Sequence, residues 1–260
     1  MMKMEIIEEM QRVNKFIEGE YIMNTRKLYQ ISTLNALMLG DYKGAVKVGD
    51  LLKVANIGIG TYDGLNGEAI FFNGKAYDGL ATGEVKEMNN DDSLPFATVA
   101  KFDENVKENI ISFNSMNDFK EKMEQFIEGN KNYFDMIKIE GKFNVRVRSC
   151  FKQEEPYKPL YTVAKDQREF EYKDEEGYVI GIYSPNYVEG INMPGWHIHF
   201  LNKALTHGGH ILEVSSSEAK MKINLLDEWD VIMPHNKEFA SWNLTQDLKS
   251  KTAAVEGSHK

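Results

Sequence analysis

Two Asn-Gly pairs, Asn66-Gly67 and Asn73-Gly74, bracket the strand-forming run EAIFF, and this feature narrows the fold of the chain most sharply. Asn-Gly supplies the positive φ angles of a tight hairpin turn, so the two pairs predict a β-meander around that run. Ile57, Ile59 and Thr61 alternate just before it, as one face of a strand does. PFATVAKF and ENIISF read as further strands. From Ser115 to Glu128 the period changes: Met116, Phe119, Met123, Phe126 and Ile127 recur at helical spacing, with Ser115 or Asn117 as N-cap and Gly129 as the stop. Strands resume as FDMIKIEG and FNVRVRS, placed around a turn at Glu140-Gly141, and continue as EFEY, YVIGIYSP, GWHIHFL, GGHILEV, AKMKI and DVIMP. Ahead of all this, Ile6, Ile7, Met10, Val13 and Ile17 draw one apolar stripe on a short helix ending near Gly19, a face for packing or subunit contact. The expectation is a predominantly β chain with few helices: a helical segment over 1–24, a sheet half with its closing helix over 25–130, and a second sheet half over 131–260.

At 260 residues the chain is long enough to bury a sizeable core without disulfides. Lys and Arg number 31 against 40 Asp and Glu, a net charge of −9, which argues against a nucleic-acid or anionic-membrane partner and favours a small molecule. No run reaches the roughly 18 apolar residues of a spanning helix. The amino terminus carries acidic residues where a signal peptide is basic, and with a single cysteine, Cys150, the chain suits a reducing cytoplasm. Cys150 has no base beside it in sequence and reads as a buried structural thiol.

The histidines carry the chemistry. Of six in the chain, His197, His199, His207 and His210 fall within GWHIHFLNKALTHGGHILEV. Residues two apart on a strand share a face, so His197 and His199 project together. A reversal over Asn202 to Gly209 makes His199 and His210 cross-strand neighbours, and three imidazoles then converge. That is the donor set of an open zinc site, three nitrogens with a fourth position left for water or substrate. His207 competes with His210 for the third place. Ordinary hydrogen-bonded strand histidines are the bland alternative. A cupin would also carry His-x-His, but Phe200 to Thr206 lacks the acidic ligand that should follow.

These blocks together resemble the α-acetolactate decarboxylases from about Leu28 to Glu256: GIGTYDGLNGEAIFFNGKAY, PFATVAKF, IEGKFNVRVRSCFKQEEPYKPL and SPNYVEGINMPGWHIHFLNKALTHGGHILE. The resemblance implies a two-sheet α+β protein, a homodimer, and zinc on His197, His199 and His210. It selects His210 over His207, because the family's ligand directly follows the Gly-Gly pair. It also implies catalytic roles for Glu68, Arg148 and Glu256, with Thr61 beside the substrate. The implied reaction converts (S)-2-acetolactate to (R)-acetoin through an enediolate.

Residue by residue, weaker readings stand alongside. Glu68 reads as a solvated hairpin charge on sequence alone, Arg146 shares a strand face with Arg148, and Glu256 lies in what is ordinarily a frayed terminus. The competing functions are a zinc-dependent lyase or hydrolase of another small substrate, and a non-catalytic zinc-binding module.

Overall fold

A computed structural model describes residues 24–256. The apolar stripe from Ile6 to Ile17 lies outside the described residues. In chain order the elements are β1 (Lys27–Ile31), α1 (Leu34–Leu39), β2 (Val46–Lys47), α2 (Val48–Leu51), β3 (Ile57–Tyr62), β4 (Asn66–Phe72) and β5 (Lys75–Gly79). There follow β6 (Val85–Glu87), β7 (Ser93–Leu94), β8 (Phe96–Ala100), β9 (Glu108–Phe113), α3 (Met116–Ile127), β10 (Phe134–Ser149) and α4 (Leu160–Val163). The chain then runs through β11 (Arg168–Ser184), β12 (Gly195–Asn202), β13 (Gly208–Leu226), β14 (Glu228–Ile232), α5 (Lys237–Ser241) and α6 (Lys249–Glu256). Predominantly β with few helices, as the sequence patterning indicates, the chain has the α+β class that the resemblance implies. Among the described residues no helix is long and apolar enough to cross a membrane.

Two principal sheets form. The larger has the order β14-β1-β8-β3-β4-β5-β6 and is antiparallel except where β14 joins β1. Every residue of β3 and β8 is buried, because this sheet is covered on both faces. One face packs Val48, Leu51 and Leu94 against Phe71, Ala97 and Val99. The other packs Ile57, Ile59, Ile70 and Phe72 against Met136, Ile180, Ile182 and Leu201 of the second sheet.

The second sheet has the order β10-β11-β12-β13-β9, and β10 also pairs with β13, so four of its strands close on themselves. Their enclosed face holds Ile137, Val147, Val179, Ile198, Phe200 and Met221, capped by Phe119, Met123 and Ile127 of α3. That helix starts where its sequence indicates, with the Ser115 hydroxyl accepting from the Asp118 N–H. Each half of the chain lends a strand to the other's sheet, β9 to the smaller and β14 to the larger.

Of the expected turns, one is displaced and one is absent. The meander is present, and Asn73-Gly74 makes its second turn with both residues at positive φ. The first turn is built by Gly64 and Leu65, at φ 73° and 56°, while Gly67 lies inside β4 at φ 68°, next to a register shift. Asp-Gly serves the hairpin, and Asn-Gly serves a bulge. At Glu140-Gly141 there is no turn: β10 runs through it continuously. Gly141 marks a close approach, since a Cβ there would lie 2.8 Å from that of Ala219. EFEY and YVIGIYSP are likewise one strand, bent at Asp174 with φ 54°, and GGHILEV and AKMKI are another. Residues that end a strand in isolation bend it here, because neighbours on both sides continue the ladder.

Candidate functional site

Alternation along β12 sends Trp196, Ile198 and Phe200 into the enclosed core of the smaller sheet and leaves His197 and His199 facing the larger sheet. The site therefore lies between the two sheets. His199 stands opposite His210 in the β12–β13 ladder, and Arg148 of β10 stands opposite His210 on its other side. His197 Nε2 is 3.0 Å from His210 Nδ1 and 3.2 Å from His199 Nε2. A tetrahedral ion with bonds of about 2.0–2.1 Å separates its ligand atoms by about 3.3 Å, close to both distances, and all three nitrogens lie within 4.8 Å of one another.

His199 is pre-set for that task. It is fully buried, and its Nδ1 donates to the Ala69 carbonyl at 3.0 Å, which leaves the Nε2 lone pair for a metal. Burial first, then the neighbouring His197, hold its pKa well below the ordinary value; the Ala69 contact opposes them, and Arg148 adds to the lowering. A neutral imidazole is the ligand form.

The Gly-Gly that precedes His210 has a spatial reason. A Cβ at Gly208 would lie 2.9 Å from the Phe200 carbonyl oxygen, and one at Gly209 would lie 2.8 Å from that of Arg148. Only glycine lets the start of β13 pass so close to both neighbours. The histidine that follows is carried directly into the site.

Glu68 and Arg148 complete the polar wall. Both are buried; Arg148 Nη1 donates to Glu68 Oε1 at 3.1 Å, and Glu68 Oε2 lies 3.5 Å from His199 Nε2. Glu68 is thus no solvated hairpin charge. Arg146, by contrast, pairs with Glu169 at 2.7 Å near the surface. Thr61 is buried on β3, and its hydroxyl donates to the Gly67 carbonyl at 2.8 Å, bracing the bulge from which Glu68 projects. Thr61, Glu68, Arg148 and His197 line one pocket whose apolar walls include Leu34, Leu65, Phe96 and Cys150. Cys150 is a buried wall residue, as its sequence setting indicates.

His207 stays out of the cluster and stacks on Tyr172 instead. Glu256 closes α6, the last described helix, and its side chain lies outside the described part. That helix returns to the site region, since Val255 and the preceding Leu248 are buried with Leu34, Leu65, Phe96 and Cys150.

Two buried polar residues near the site escaped sequence reasoning. Asp78, opposite Ala69 in the β4–β5 ladder, accepts from Asn66 Nδ2 at 3.0 Å behind the Gly67 bulge. Burial, reinforced by the charge of Glu68 and opposed by Lys86, pushes its carboxyl up to about 8. The Asn73-Gly74 turn foretells its register but not its burial. Asn202 closes the hairpin between the ligand strands, and in sequence it reads only as a turn residue.

The family model for alpha-acetolactate decarboxylase matches residues 28–246, ending ten residues before Glu256. The chain is 37% identical over 234 residues to the alpha-acetolactate decarboxylase of Brevibacillus brevis, covering 90% of this chain and 82% of that protein. To the Methanosarcina mazei protein of the same name it is 32% identical, over 88% of this chain and 80% of the other. The crystal structure of alpha-acetolactate decarboxylase from Bacillus subtilis strain 168 superposes with a TM-score of 0.85 at 28% identity, covering 89% of this chain and all of that one. A match over most of the length, in sequence and in fold, establishes that the chain belongs to the alpha-acetolactate decarboxylase family.

Proposed function

We propose that this chain catalyses the zinc-dependent decarboxylation of (S)-2-acetolactate to (R)-acetoin in the pocket between the two sheets. The observation that carries this reading is the convergence of three imidazole nitrogens beside a buried Glu68–Arg148 pair. A purely structural metal site has no use for such a charged pair beside it.

Acetolactate loses carbon dioxide only if its ketone absorbs the electron pair left behind, giving an enediolate. A zinc ion held by His197, His199 and His210, when bound, supplies the Lewis acid for that electron sink. Arg148 orients the substrate carboxylate through its guanidinium, whose charge is kept at all working pH values. Its grip serves best where it positions the carboxylate without favouring the ground state over the transition state. Thr61 and the apolar wall hold the substrate in a setting from which water is largely excluded, which strengthens every polar contact there. Decarboxylation consumes one proton at carbon. Glu68, ionised beside Arg148 in the resting site and close to the three nitrogens, takes a proton from solvent during turnover and passes it to one face of the enediolate. Glu256 is the second acid of the site in this reading, brought back by α6.

The test is acetoin formation from racemic acetolactate by the purified protein, beside a chelator-stripped sample and one restored with zinc. Release above the spontaneous rate that vanishes on stripping and returns with zinc is the expected result. Release at the spontaneous rate by zinc-loaded protein would overturn the substrate assignment.

A further inference from the structure

The three histidines come from two strands that are paired to each other at only three positions: His199 with His210, Phe200 with Gly209 and Leu201 with Gly208. A slip of one residue in so short a ladder turns His210 to the opposite face, away from His197 and His199. Longer ladders hold β12 to β11 and β13 to β10, and between the two ligand strands themselves the task of fixing the pairing falls to the connecting turn. It is organised by one buried side chain, Asn202, only 2% exposed. Its Oδ1 accepts from the backbone N–H groups of Thr206 at 2.7 Å and His207 at 3.0 Å. Its Nδ2 donates to Thr206 Oγ1 at 3.0 Å and, across to β11, to Glu175 Oε1 at 2.7 Å. The same Glu175 oxygen lies 3.2 Å from His207 Nδ1, and the His207 ring lies flat on Tyr172 of β11, with centroids 4.4 Å apart. The turn is thus tied to itself and to the strand on its far side.

We infer that Asn202, anchored by Glu175, is a positioning residue of the metal centre, seating the end of β12 against the start of β13 and with it the spacing of His199 and His210. This rests on the metal reading above. Asn202 touches none of the three ligands, and its effect passes through the ladder alone. Asparagine suits the place because it presents an acceptor to the turn and donors to Glu175 at once. Aspartate keeps the acceptor, loses both donors and sets a charge against Glu175. Alanine loses every side-chain bond and keeps only the backbone ones, to the His207 carbonyl and from the Leu205 N–H.

The experiment measures zinc affinity of the full-length protein by competition with a chromophoric chelator, and the visible spectrum of the cobalt-substituted form, for wild type, Asn202→Ala, Asn202→Asp and Glu175→Ala. Far-UV circular dichroism of the metal-free proteins accompanies it. The expected result is a loss of zinc affinity on the order of 10- to 100-fold in both Asn202 variants, the range of changes outside the ligand set itself. An altered cobalt spectrum and an unchanged far-UV spectrum should go with it. Glu175→Ala, which keeps the bonds within the turn, should lose less affinity and still shift the cobalt bands. Wild-type affinity and an unchanged cobalt spectrum in folded Asn202→Ala would overturn the inference. Should that variant not fold, the same two results for Glu175→Ala would overturn it. A wild-type protein that binds neither ion would instead refute the metal reading, and the inference would go with it.

Discussion

His199 concentrates the residue-scale chemistry: a buried, neutral ring held in one tautomer by the Ala69 carbonyl, with its other nitrogen turned to the site. His199→Ala leaves two imidazoles, and metal analysis after dialysis should find no stoichiometric zinc and no activity above the spontaneous rate. Glu68→Gln keeps the shape of the side chain but removes its acid. It should retain zinc and fold while kcat falls by about a hundredfold, roughly 3 kcal/mol in the barrier, and unchanged kinetics would take Glu68 out of the mechanism. A residue remote from the site gives a pH test. Burial pushes the Asp135 carboxyl up from 3.8 to about 8. Over that interval the folded chain keeps a proton that the unfolded chain has lost, so this group's contribution to stability falls as pH rises from about 4 to about 8 and is level above. Asp135→Asn removes that dependence. Its melting temperature relative to wild type should climb between pH 4.5 and pH 8; a gap of constant size would refute the assignment.

At the scale of elements, α6 is the most informative piece. It buries Val255 in the cluster that walls the pocket, and the chain just ahead of it buries Leu248 there as well. Deleting residues 249–260 removes one buried valine, about 2 kcal/mol by burial, and also removes Glu256. Activity should drop by more than tenfold while the protein still melts cooperatively a few degrees lower. A fully active truncation would exclude the tail from catalysis. The strands teach a different lesson. Helix α3, with its apolar spacing, Ser115 cap and Gly129, is legible residue by residue because those signals act within one element. The turn expected at Glu140-Gly141 is absent because β11 and β13 continue the ladder on both sides of β10, and the glycine serves the close approach of Ala219.

For the whole molecule, the ligands come from one sheet, and Glu68 and Thr61 come from the other. An ion bound by His197, His199 and His210 is bound only by the folded chain, so stripping it should lower the melting temperature. Restoring zinc at about 100 times its dissociation constant should return about 2.7 kcal/mol of stability. Identical melting of stripped and restored protein would show that no ion binds the native fold. Charge is not confined to the surface: Arg148 and Glu68 form their ion pair between the sheets, and Asp78 and Asp135 are buried as well.

By itself the sequence determined the β-rich class, helix α3, the meander and the cross-strand relation of His199 and His210, because period, capping and hairpin register act over a few neighbouring residues. The histidine cluster was legible for the same reason: its three members lie on one hairpin. Tertiary structure alone decided that Glu68 is buried against Arg148, eighty positions away, and that Arg146 instead pairs with Glu169. It likewise decided that Asp78 and Asn202 are buried polar residues and that α6 returns to the pocket wall. Burial and charge pairing depend on which sheet packs over which, and that contact joins segments distant in the chain, where no local period records it.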